Sequence, residues 1–146
     1  MVSKATGGRS WADPQYDPQR LLRLSLGANT VFSFLSGIGF VLASSPLALA
    51  IGWTTSWVLV VLGVGLLGFS TGLGWLSSRE TIPLGPANGI MWCGAAWVAV
   101  TIPLVFMGEL SRTGELGAIA IAYVVLGFSV VQFLGIRRLR RLNSVD

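Results

Sequence analysis

The sequence predicts an all-α, polytopic membrane protein, a bundle of four transmembrane helices. Three observations predict it. Of 146 residues, 53% are hydrophobic and only 11% are charged, where a soluble domain carries roughly 25% charge. Mean hydropathy is +0.72, with no alternation of apolar and polar residues such as a half-buried strand shows. Four stretches reach the roughly 20 mostly apolar residues that a spanning helix needs. The same composition excludes disorder, which needs low hydrophobicity and high charge.

In chain order, residues 1–23 read as a polar arm with Gly7-Gly8, Pro14 and Pro18, in which Trp11 and Tyr16 are the aromatic residues. The first span is expected over 24–43. An outer segment, 44–56, holds Pro46 to Trp53, a run too short to cross, expected as an interfacial turn or short helix. Within it Ala48-Leu49-Ala50 fits a small-x-small cleavage pattern. Cleavage is not expected, because a signal h-region is about 7–15 residues and this apolar stretch is longer. The leading segment also carries Asp13 and Asp17. The second span is expected over 57–76, a loop over 77–86 and the third span over 87–107, with a bend at Pro103. A second outer loop covers 108–115, the fourth span 116–136 and a basic tail 137–146.

Orientation follows from charge. Lys4, Arg9, Arg20 and Arg23 precede the first span, Arg79 lies in the middle loop, and Arg137, Arg138, Arg140 and Arg141 follow the last span. Only Arg112 lies on the other side. The positive-inside rule then places both termini in the cytoplasm. Trp53 and Trp57 fall at the outer interface and Trp75 at the inner one, as an aromatic belt would. Trp92 and Trp97 lie deeper and are expected to fill packing gaps.

Sliding the chain against itself by 59 positions aligns Ala28-Asn29 with Ala87-Asn88, and Leu67-Gly-Phe-Ser70 with Leu126-Gly-Phe-Ser129. The offset suggests two parallel repeats of a helical hairpin, related about an axis along the membrane normal.

Small residues let helices approach closely where lipid offers little hydrophobic drive. Ser33-x-x-x-Gly37, Gly68-x-x-x-Gly72 and Ala118-x-x-x-Ala122 are the candidate packing pairs, either within the bundle or at a subunit interface. The second span holds so many glycines that more than one of its faces qualifies.

Polar residues form the other candidate. Ser25, Asn29 and Ser33 share one helix face. Asn29, Ser70, Asn88, Ser129 and Gln132 lie at inner-leaflet depth, next to Arg20, Arg23, Arg79, Arg137 and Arg138. One reading is a polar notch of Asn29, Ser70, Asn88, Ser129 and Gln132, open to the cytoplasmic leaflet, with those arginines contacting anionic lipid. The simpler one is interhelical hydrogen bonding among Asn29, Asn88 and Gln132.

Absences narrow the chemistry. No charged residue lies within a predicted span, whereas proton relays and ion-coupled transport usually use one. There is no histidine and Cys93 is the single cysteine, so neither a structural zinc site nor a His-ligated haem is expected. No cofactor and no metal site are expected, and no catalytic base or nucleophile stands out.

Asn29-x-x-Phe32-Ser33-x-x-Ser36-Gly37, together with Trp97-Val98 and the arginine-rich tail, resembles a set of small four-helix bacterial inner-membrane proteins of uncharacterised function. The resemblance covers nearly the whole chain through a loose motif. It implies a bacterial inner membrane and no defined activity. That set tends to carry an acidic residue three positions before the tryptophan, where this chain has Gly94.

The expectation is therefore a non-enzymatic integral membrane protein acting through helix–helix and lipid contacts, an accessory or assembly subunit of a larger membrane complex. Its expected partners are anionic lipid and other membrane subunits or a second copy, and no nucleic acid. The alternative is a small carrier or pore for a neutral or anionic solute, lined by Asn29, Ser33, Ser70, Asn88 and Ser129.

Overall fold

A computed structural model describes residues 19–142, so the arm over 1–18, with Trp11 and Tyr16, and the last four residues lie outside the described part. Every regular element in it is a helix: α1 (Arg20–Leu42), α2 (Ser44–Ile51), α3 (Trp57–Ser77), α4 (Leu84–Phe106) and α5 (Arg112–Leu142). Four of them, all but α2, are long and apolar enough to cross a membrane. The chain is a multi-pass, all-helical bundle.

Boundaries differ from the sequence expectation where charged residues flank apolar ones. The predicted 116–136 span is the middle of a 31-residue helix, about 46 Å long at 1.5 Å per residue. Much of the predicted basic tail is therefore helical. Ile136 and Leu139 are buried while Arg137, Arg138, Arg140 and Arg141 are exposed. An apolar stripe at i, i+3 keeps α5 docked past the apolar span. At the other end of α5, Ser111 Oγ accepts the Gly114 N–H at 3.1 Å, which is the standard N-cap bond. The interfacial run forms α2. It stops at Gly52, whose φ of +87° suits glycine. Pro103 lies inside α4, which continues to Phe106.

The bundle is two hairpins side by side. α1 lies along α3 and α4 along α5, the two units that the 59-residue offset also pairs. The hairpins join through α1 and α5, whereas α3 and α4 meet only briefly. Around the bundle the order is α1, α3, α4, α5, with one seam left open.

Two sets of contacts close the ends. At the end where α1 begins and α5 finishes, here the arginine end, Leu22, Leu26, Leu76, Ile82, Ala87, Met91, Ile136 and Leu139 form one buried cluster. The Arg23 guanidinium locks it from outside, donating to the carbonyls of Ser77 and Arg79 at 2.6 Å and of Glu80 at 2.9 Å. Ser77 O is an end carbonyl of α3, where a cation also complements the helix dipole, and the other two belong to the loop that follows. Gln19 Oε1 accepts the Ile82 N–H at 2.8 Å, holding the same loop. At the opposite end the Ser111 N–H donates to Ile51 O at 2.8 Å, and Ser111 Oγ donates to Ala50 O at 2.5 Å. These bonds tie α2 to the start of α5.

The hairpin contact depends on backbone approach. A Cβ on Gly37 would lie 2.9 Å from Gly63 O, and one on Gly63 would lie 2.8 Å from Gly37 O. Neither position accepts a side chain without displacing a helix. Gly37 thus packs within the bundle, and Ser33 one turn before it is buried. Gly68 and Gly72 do not pack within the chain: both are exposed, and a Cβ on either meets nothing within 4 Å. At 100° per residue they lie about 140° and 180° around α3 from Gly63. Ala118 and Ala122 are half-buried on α5, where the tight approach is instead at the buried Gly114: a Cβ there would lie 3.0 Å from Ile51 Cβ.

Candidate functional site: a cavity inside the bundle

The open seam leads to a cavity of about 270 Å³ at mid-helix depth. A small-molecule site is typically about 300–1,000 Å³, so this one lies just below that range. α1 supplies Asn29, Phe32, Ser33, Ser36 and Phe40, which lie on one helix face. α3 contributes Val61, Leu62, Gly65, Leu66 and Phe69, and α4 contributes Cys93, Gly94 and Trp97. Ile121 and Val125 of α5 complete it. The walls are apolar and strongly aromatic. The polar groups are concentrated on α1.

Antiparallel pairing sets the depth of the remaining polar residues. Thr30 stands opposite Gly74, Gly94 opposite Ser129, and Leu22 opposite Gly135. Asn29 and Ser129 therefore come to a similar level, with Gln132 about a turn nearer the arginine end and Ser70 about a turn farther from it, and all four are buried. Asn88, nearer the arginine end of α4, is half-buried and does not line the cavity.

The notch expected to open toward the arginines is not formed. Leu22 and Leu26 stand between Arg20 and Asn29, and Ile136 and Leu139 follow Gln132 toward the end of α5. The apolar cluster seals that end below the polar level. The expected interhelical bonds are also absent: among the described residues no hydrogen bond joins Asn29, Asn88 and Gln132. The hydroxyls bond within their own helices instead, Ser70 to Leu67 O at 2.8 Å and Ser129 to Val125 O at 3.0 Å. Ser33 donates to Asn29 Oδ1 at 3.2 Å. A hydroxyl reaches a carbonyl one turn back without needing a partner helix.

Two amides stand out. Gln132 is 1% exposed and its Nε2 has no partner. Asn29 is 8% exposed, its oxygen is engaged by Ser33, and its nitrogen makes no hydrogen bond among the described residues. Asn29, unlike Gln132, lines the cavity.

The arginines divide into two groups. Arg23, expected at a lipid headgroup, is half-buried and bonded to the last carbonyl of α3 and to two carbonyls of the loop after it, so it is a helix cap. Arg20, Arg79, Arg137 and Arg138 are exposed, and the Arg79 guanidinium lies 4.0 Å above the Trp75 ring.

Sequence reasoning missed Ser36, Phe40, Phe69 and Gly63. Ser36 had a signal, since it continues the Asn29 and Ser33 row at i+7. Trp97 does face the interior, as expected, but at the cavity rather than in a packing gap, and Trp92 is 63% exposed on the outside of the bundle. Gly94 lines the cavity and leaves no room for a side chain: a Cβ there would lie 2.5 Å from Ser129 Oγ. Comparison of the chain with protein-family models, with curated proteins and with solved structures finds no match.

Proposed function

We propose that the chain is a non-enzymatic subunit of a larger assembly in the bacterial inner membrane, with both termini cytoplasmic, acting through helix and lipid contacts. The observation that carries this reading is the outward face of α3. Gly68 and Gly72 are exposed there with open space around them, while the same helix uses Gly63 for its contact inside the chain. A glycine face in a membrane permits close approach by another helix. The arginine end supports a lipid role, since each arginine near an anionic surface contributes about 1 kcal/mol. Arg20, Arg79, Arg137 and Arg138 supply that charge, with anionic lipid as their partner.

Purification of the tagged chain in mild detergent tests the reading. A stoichiometric membrane protein partner, or a second copy, is expected, and Gly68→Leu with Gly72→Leu releases it. A lone monomer across several mild detergents overturns it. The carrier or pore reading has the geometry against it, because the buried cluster at the arginine end interrupts any polar route from Asn29.

A further inference from the structure

The cavity has four properties that together specify a ligand. Its open wall lies between α3 and α4, two spanning helices that meet only briefly, so entry is from the bilayer and not from water. No Asp, Glu, Lys or Arg lines it, which selects against an ion. Phe32, Phe40, Phe69 and Trp97 line it, and aromatic walls favour a flat ring. Asn29 lines the cavity with its amide oxygen engaged by Ser33 and its nitrogen making no hydrogen bond among the described residues, which leaves a donor available to a ligand.

We infer that this cavity binds a neutral, membrane-dissolved ring compound whose carbonyl oxygen accepts a hydrogen bond from Asn29 Nδ2. A lipid acyl chain would fill the volume but leave that amide unpaired. An anionic headgroup would meet no cation. Gly68 and Gly72 do not line the cavity, and ligand labelling is read on the isolated chain, so its outcome is distinguishable from loss or recovery of a partner.

The probe is tritiated benzophenone, a neutral aryl ketone that inserts into nearby C–H bonds on irradiation. The full chain in phosphatidylcholine liposomes is irradiated with it and the label is mapped. Label is expected to concentrate on Phe40, Leu66 and Trp97, and unlabelled benzophenone should compete it away. Diphenylmethane, a similarly shaped hydrocarbon without the carbonyl, should compete about fivefold less well, the value of one net hydrogen bond. Asn29→Leu should lower cavity labelling about fivefold while labelling of the exposed Trp57 and Phe106 stays constant. Gly65→Phe fills the cavity from a position where an added Cβ meets nothing within 4 Å, and should abolish cavity labelling. Label spread evenly over cavity and lipid-facing residues overturns the inference. So does equal competition by the ketone and the hydrocarbon, which would mean filling by shape alone.

Discussion

The two sides of α3 carry the same kind of residue and behave in opposite ways. Toward α1, Gly63 brings two backbones into contact, with a buried Ser70 two turns on. Away from α1, Gly65, Gly68 and Gly72 are exposed, and a Cβ on any of them meets nothing. Glycine content therefore says that a helix can be approached closely, not from which direction. Direction depends on what stands opposite. Gly37 stands opposite Gly63, whereas the cavity and the open seam lie beside Gly65.

The sharpest way to break this comparison is to add the same side chain on both sides. Gly63→Leu drives a side chain into the Gly37 carbonyl and Val41, and should cost about 3 kcal/mol, the upper end of overpacking penalties. Unfolding in a detergent titration measures it. A loss well under 1 kcal/mol would mean that the hairpin does not depend on this crossing. Next in size is Arg23→Ala, which removes the cap that fixes the end of α3 against α1. It should cost about 2 kcal/mol, because hydrogen bonds from a charged donor are each worth roughly 1.5–3 kcal/mol and this group is only half-buried. Arg79→Ala, whose group stacks on Trp75 at an exposed site, should cost no more than about 1 kcal/mol.

A gain is expected on α5. Gln132→Met removes a buried amide nitrogen that has no partner, keeps the side-chain length, and should stabilise the chain by about 1 kcal/mol. A loss there would show that the amide is satisfied in the membrane. The smallest effect belongs to the exposed side of α3. Gly68→Leu should change the stability of the isolated chain by less than about 0.5 kcal/mol, as surface substitutions do. Its effect should appear only in recovery of a partner. A large stability loss on that side would erase the distinction between the two faces.

Much of the fold is legible from one-dimensional signals. The length of apolar runs gives the four spans, and the 59-residue offset suggests the α1–α3 and α4–α5 units; connection length does not, because the loop over 78–83 is shorter than the segment over 43–56, yet α3 and α4 meet only briefly. The helical continuation past residue 136 was also readable, because Ile136 and Leu139 repeat at i, i+3 among the arginines. The candidate site was legible only in part. Asn29 and Ser33 lie on the right face, but nothing in the order of residues says that Leu22 and Leu26 will meet Ile136 and Leu139 to seal the arginine end. Arg23 likewise looks like any other arginine near a membrane surface until the end of α3 is placed beside it.

The sequence by itself determined the class, the number of spans and the absence of charge within them. Those properties depend on local hydrophobicity, which is additive along the chain. Only the tertiary structure decided which glycines touch, which arginine is a cap, and which seam stays open. Each of those depends on what faces a residue across a helix interface. In an apolar solvent both faces of a helix read alike, so hydropathy cannot tell the packed face from the exposed one.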